Sequence, residues 1–169
     1  MADNRLKYIK IFATGGTFDK EFNEINGELY FKETNLFELL QLGRSQVDLK
    51  IETLMMVDSL QMTNTERQYI LEKCKKEKTD KIIITHGTDT MVKTAEFVAK
   101  HIKDKIIILT GAMIPIKFGS SDGLFNLGSA LSFAQVLDPG VYITMNGQYF
   151  YWDNVRKNKK LGIFERITK

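Results

Sequence analysis

The chain has 169 residues, 43% hydrophobic and 27% charged, with 24 basic and 21 acidic side chains for a formal net charge of +3. That length suits one domain and the apolar share suffices for a buried core. The charge is too balanced to argue for a nucleic-acid partner, no apolar run nears the ~20 residues of a membrane span, and a single cysteine, Cys74, excludes an intramolecular disulfide.

The first apolar run, "YIKIFA" at 8–13, reads as a buried strand and ends in "TGG". Gly15 and Gly16 permit a tight turn, or leave room for a ligand to approach the backbone with Thr17 held beyond them. The "NG" at 26–27, flanked by alternating residues, suggests a β-hairpin. "TNLFELLQLG", 34–43, is a short helix with Gly43 as its C-cap. A strand over 49–57 follows. "TNTERQYILEKCKK" opens with a capping box, Thr63 to Glu66, and repeats apolar residues at Met62, Tyr69, Ile70 and Cys74. Cys74 on that stripe is a core thiol.

Strands at 81–84, 105–109 and 141–145 alternate with helices. The helix at 91–102 repeats at Met91, Ala95, Val98 and Ile102; the one at 123–137 repeats at Leu124, Leu127, Gly128, Leu131 and Ala134. Strand and helix in alternation predict a parallel sheet with helices on both faces, and ligands beyond the strands' carboxyl ends. Hydroxyls and glycines recur there: Thr14–Gly16, Thr85–Thr90, Thr110–Met113 and Thr144–Gly147. Two proline residues and no low-complexity tract leave no linker, so one domain over 1–169 is expected. The N-terminus "MADNRLKYIKIF" has no long apolar segment, which reads as no secretory signal and a cytoplasmic protein.

"ATGGTF" at 13–18 and "ITHGTDTM" at 84–91 resemble the two signature segments of the bacterial-type L-asparaginases. The resemblance continues through "TGAMIP", "SSDGLFNL" and "VYITMNG". It implies a three-layer, flavodoxin-like α/β domain with a mainly parallel sheet, and an amidohydrolase that releases ammonia from a carboxamide. The family's nucleophile is a threonine, at Thr17 here; its second threonine, aspartate and lysine correspond to Thr88, Asp89 and Lys157. The resemblance implies substrate contacts at Gly16, Asp58, Ser59, Gly87 and Ala112, and no cofactor or metal. Chemically, a threonine hydroxyl must lose its proton to something. Thr88 could pass that proton to Lys157, glycine-turn N–H groups could hold the oxyanion, and Asp89 could pair with a substrate ammonium. The plain readings stand beside these. Thr88 and Thr90 suit caps of the next helix, Asp89 suits its first turn, and Lys157 lies in the basic run "RKNKK". His86 and His101 read as structural.

Three departures bear on function. The family's smaller C-terminal domain has no counterpart in the chain, so another lid is expected. Leu60 in "VDSLQMT" stands where the family carries a polar residue, as though an amide had become an alkyl group. The family's loop tyrosine falls near Asn26, leaving Tyr30 as a lid residue only in a shifted register. The alternative function is therefore a module that binds an amino acid or dicarboxylate without turnover. A larger amide, a peptide or an aminoacyl group on tRNA as in an archaeal amidotransferase, is a third idea. A homodimer is expected to close the site through "QYFYWDN" and "MIPIKFG", with Trp152 or Phe150 buried by the neighbour.

Overall fold

Period-two alternation runs through the central strands in the computed structural model of the protein, which describes residues 8–167. In β5 (Lys81–Thr85), Ile82 and Ile84 face one apolar cluster and Ile83 the other. β6 (Ile106–Thr110) does the same with Ile107 and Leu109 against Ile106 and Ile108. Strands buried on both faces need no polar side, which is why they read as unbroken aliphatic runs.

The other members of the main sheet are β1 (Ile9–Gly15), β4 (Leu49–Val57), β7 (Gly140–Met145) and β8 (Gln148–Tyr151). Between β1 and β4 stands a hairpin of β2 (Lys20–Asn23) and β3 (Glu28–Phe31). The sheet order is β4-β1-β5-β6-β7-β8, parallel except for β8, an antiparallel edge strand that the apolar pattern did not reveal. Apart from that edge, this is the flavodoxin-like order, which reverses between β1 and β5.

Helices α2 (Asn64–Lys76) and α3 (Met91–Ala99) cover one face; α1 (Leu36–Leu42) and α4 (Gly123–Val136) cover the other. The result is the expected three-layer α/β arrangement. The capping box is formed: Thr65 N–H donates to Thr63 Oγ1 and Thr63 N–H donates to Glu66 Oε2 at 2.7 Å. Cys74 is buried in the core, where desolvation pushes its thiol up to about 12. No helix among the described residues is long and apolar enough to cross a membrane.

Several local expectations are corrected. Tyr69 is exposed, and Arg67 and Leu71 join Ile70 and Cys74 on the buried face of α2. Gly128 faces outward, with Ala130 inside. Gly43 is the C-cap of α1 as expected, but it is right-handed at φ −75°, and the left-handed residue is Arg44 after it at φ 51°. Phe150 is 2% exposed within its own chain, because the inner face of β8 packs on the core, and so offers nothing to a neighbour. Trp152 is half-buried against the same core.

Parallel register brings the strand ends level: Ala13 lies beside Thr85, and Thr85 beside Thr110. The threonines there are fully buried. Thr14 Oγ1 donates to the Thr85 carbonyl at 2.7 Å and Thr110 Oγ1 to the Thr144 carbonyl at 2.8 Å. These hydroxyls pin neighbouring strand ends together. The site is built from the loops beyond them.

Two small β pieces complete the chain, β9 (Arg156–Asn158) and β10 (Ile163–Glu165), which pair antiparallel.

Candidate active site

Gly15 and Gly16 adopt φ of +94° and +76°, which L side chains rarely do. Close approach is the stronger reason for glycine. A Cβ on Gly15 would fall 2.5 Å from Val57 N, and one on Gly16 would fall 2.4 Å from both Gly87 N and Cα. The turn reading and the site reading of this pair therefore merge, because the turn is tight so that β1 can press against the loop beyond β5. That contact lies at the reversal of strand order. Thr17 comes next and opens a single 3₁₀ turn, Thr17–Asp19. Phe18 and Asp19 are fully buried and anchor the turn from behind, while Thr17 itself stays partly open.

Asp19 also closes the base of the β2–β3 hairpin. Its Oδ1 accepts from Asn35 N–H at 2.8 Å and from the Thr34 hydroxyl at 3.2 Å. Burial raises its carboxyl to about 6 despite these bonds, and Oδ2 has no hydrogen-bond partner among the described residues.

On the facing loop, Lys157 Nζ donates to Thr88 Oγ1 at 2.8 Å and to Asp89 Oδ1 at 2.8 Å. The Lys157 side chain is 13% exposed, so it is not part of a solvated basic face. Its placement follows from β10. Phe164 lies directly opposite Lys157 in the hairpin and is buried in the core, and cross-strand partners share a face. The Phe164 N–H donates to Asn146 Oδ1 at 2.9 Å, Asn146 N–H donates to Asn126 Oδ1 at 3.1 Å, and Asn126 Nδ2 donates to the Gly111 carbonyl at 2.9 Å. This chain of amides ties the lysine hairpin to the carboxyl edge of the sheet.

Gly87 also meets Ser59: a Cβ there would lie 2.5 Å from Ser59 Oγ. Gly16, Gly87 and Ser59 thus form one continuous wall. Asp58 pairs with Lys20 and accepts Leu60 N–H at 2.9 Å. The Lys20 bond, more than the backbone one, holds its carboxyl below the usual range. Asp58 is therefore spoken for within the chain. Leu60 is 68% exposed. Ala112 puts its methyl in the core and could touch a ligand only through its backbone. Tyr30 lies on β3 with its hydroxyl on Glu21 Oε2 at 3.2 Å, inside the hairpin. The Gly16 N–H donates to the Val57 carbonyl at 3.0 Å, so it cannot serve as an oxyanion donor.

Behind the wall lies a buried polar network. His86 is fully buried, with Nδ1 2.7 Å from the Gly87 carbonyl and Nε2 2.8 Å from Thr94 Oγ1. A carbonyl can only accept, so Nδ1 carries the proton and Nε2 receives the Thr94 hydroxyl. Burial, first of all, pushes the imidazole down to about 4. His86 is thus a neutral structural residue, as read from the sequence. Arg67 joins this network from α2: Nε donates to Thr94 Oγ1 at 3.0 Å, Nη1 to the Met62 carbonyl at 3.1 Å and Nη2 to Thr90 Oγ1 at 3.2 Å. Thr90 in turn donates to the Ser59 carbonyl at 2.8 Å.

Lys20, Arg67, Asn126 and Asn146 escaped the sequence reading. Only Arg67 carried a signal, an arginine three residues before Ile70 and seven before Cys74, on the apolar stripe of its helix. The others act across chain separations that no local pattern encodes.

The family model described as asparaginase, N-terminal, matches residues 8–164. The L-asparaginase of Thermococcus kodakarensis is 30% identical over 160 residues, covering 90% of this chain and 48% of that protein. L-asparaginase 2 of Escherichia coli is 32% identical over 151 residues, 83% of this chain and 43% of the relative. Among solved structures, the probable cytoplasmic L-asparaginase of Campylobacter jejuni superimposes with a TM-score of 0.83 at 29% identity, covering 95% of this chain and 53% of that one. The chain spans about half the length of the curated relatives it matches.

Proposed function

The chain belongs to the asparaginase family through the N-terminal domain it matches over residues 8–164, and on that premise we propose that it is an amidohydrolase. In this reading it transfers the acyl group of a side-chain carboxamide to Thr17 and then to water, releasing ammonia. One observation carries the reading: Lys157 Nζ reaches both Thr88 Oγ1 and Asp89 Oδ1 at 2.8 Å. A binding module needs no lysine behind a threonine.

In this reading Thr17 Oγ1 attacks the amide carbon while its proton passes through Thr88 to Lys157, which must enter the step as the neutral amine, its place on Asp89 taken by the substrate. A substrate ammonium arriving at Asp89 competes with Lys157 for Oδ1 and leaves Nζ to Thr88. With the Gly16 N–H spent on the Val57 carbonyl, support for the oxyanion falls to N–H groups of the loop beyond β5. The proton then returns to the leaving nitrogen. Water repeats the sequence on the acyl-threonine and frees the acid.

An open site keeps water around its charges and weakens every electrostatic contribution to acyl transfer. A second copy of the chain is proposed as the cover. With Phe150 internal, the contact falls to Tyr149, Tyr151, Ile114 and Phe118, all of them exposed.

The test is ammonia release from asparagine, glutamine, asparaginyl peptides and N-substituted amides, with Thr17→Ala as control. Release that disappears in the control supports the reading. Saturable binding of the same amides with no release at all would favour the binding module.

A further inference from the structure

We propose that Asn26 is a site of spontaneous covalent modification: the Gly27 backbone nitrogen attacks its carboxamide, and the tip of the β2–β3 hairpin passes to aspartyl and isoaspartyl forms, while the same Asn–Gly pair at 146–147 is kept intact by the fold. The inference stands apart from the hydrolase reading.

The sequence Asn–Gly occurs twice in the chain, at 26–27 and 146–147. In the first step a bond forms between the glycine nitrogen and the asparagine Cγ. The glycine N–H proton passes to solvent, the Cγ–Nδ2 bond breaks and ammonia leaves. Water then opens the five-membered imide at either carbonyl. Cleavage at Cγ leaves aspartate; cleavage at the main-chain carbonyl leaves a backbone that runs through Cγ and is one methylene longer. Attack within a dipeptide needs no encounter, only the right geometry, and glycine leaves its nitrogen unshielded by a side chain.

The surroundings separate the two pairs. Residues 24–30 are all exposed, and a Cβ on Gly27 would meet nothing within 4 Å. Two bonds hold the tip: Glu28 N–H donates to Asn26 Oδ1 at 3.0 Å, and Gly27 N–H donates to the Asn23 carbonyl at 2.8 Å. Both are local, and they belong to a two-stranded piece outside the main sheet. Such a hairpin opens at low cost without disturbing the core. Asn146 and Gly147 instead form the turn between β7 and β8. Asn146 Oδ1 accepts Phe164 N–H at 2.9 Å, Asn146 N–H donates to Asn126 Oδ1 at 3.1 Å, and a Cβ on Gly147 would fall 2.9 Å from Phe125 Cζ. Attack there must first break the ties that hold β10 and a turn of the main sheet.

The product changes the hairpin. The new carboxylate lies between Glu24 and Glu28 in sequence and forfeits the Asn26 Nδ2 bond to Glu28 Oε2 at 3.4 Å. The isoaspartyl form also lengthens the turn closed by the Asn23–Glu28 pairing. Modification therefore loosens the hairpin that stands on the Thr17 turn.

The experiment is peptide mapping by mass spectrometry after prolonged warm incubation at mildly alkaline pH. Parent, Thr17→Ala and Asn26→Gln are incubated folded, and the parent also in urea. In the folded parent, Asn26 should convert at least about tenfold faster than Asn146, as local against wider opening implies. In urea the two rates should come within about twofold of each other. Asn26→Gln should lose the early ammonia, which is stoichiometric with the chain. Equal rates in the folded chain, or an Asn26 that converts only in urea, would overturn the proposal. So would conversion that disappears in Thr17→Ala, since the site and not Gly27 would then be the agent. Ammonia that stays stoichiometric and persists in Thr17→Ala, with none released from added amides, leaves this proposal standing and removes the hydrolase reading.

Discussion

Lys157 Nζ donates a 2.8 Å hydrogen bond to Thr88 Oγ1 across 69 residues of chain. The bond joins two separately anchored pieces. Thr88 stands one residue beyond the Gly16–Gly87 contact, and Lys157 rides on a hairpin held by buried Phe164 and the Asn146 amide.

If the pair acts as one proton path, its members are not independent. Lys157→Met and Thr88→Val should each lower ammonia release by ~10²–10⁴. The double variant should be no worse than the weaker single one, because residues that act as a unit lose their effect together. Initial rates from a coupled ammonia assay decide it. Losses that multiply would separate the two residues mechanistically.

The glycines make opposite predictions. Gly16→Ala places a methyl where Gly87 backbone already sits, at a φ of +76°, and neither backbone can yield. A loss of about 2–3 kcal/mol in urea unfolding is expected. Gly128 is helical, and a Cβ there meets nothing within 4 Å. Gly128→Ala should raise stability by about 0.5–1 kcal/mol.

Two buried groups oppose each other in acid. His86 is held at about 4 from a usual 6.5, so the unfolded chain binds the extra proton between those values and stability rises with pH there. Asp19 is raised from 3.8 to about 6, so the folded chain binds the extra proton in that window and stability falls as pH rises. From pH 4 to 6 the two largely cancel, and above pH 6 the His86 effect remains. Asp19→Asn should unmask His86 and steepen the rise toward at most ~1.4 kcal/mol per pH unit between pH 4 and 6. Urea midpoints at half-unit pH intervals measure it, and an unchanged slope in Asp19→Asn would remove Asp19 from the account.

Sedimentation at micromolar concentration should give the mass of two chains. Phe118→Glu, at an exposed position of the proposed contact, should return the monomer without altering the far-ultraviolet spectrum. A parent that sediments as one chain would exclude a second copy as the cover.

The order of strands and helices was legible because buried parallel strands and amphipathic helices impose different periods on the same residues. The aliphatic runs at β5 and β6 and the capping box at Thr63 were readable in this way, and so was the prominence of the loops after β1 and β5. Edge strand β8 was not, since a short strand with one covered face has no run of its own. The hydroxyl-rich strand ends serve a different purpose from the one read in the sequence, because the Thr14 and Thr110 hydroxyls are spent on neighbouring strand carbonyls.

Amino-acid pattern alone determined most of the segments that form elements, because those depend on neighbours within a turn or two. Spatial pairings were settled only on folding. Gly16 against Gly87, Lys157 on Thr88, Lys20 on Asp58 and Arg67 on Thr90 all join residues far apart in the chain. Their meeting depends on strand order and on which side chains the core has room to bury, and both are properties of the whole packed chain rather than of any stretch of it.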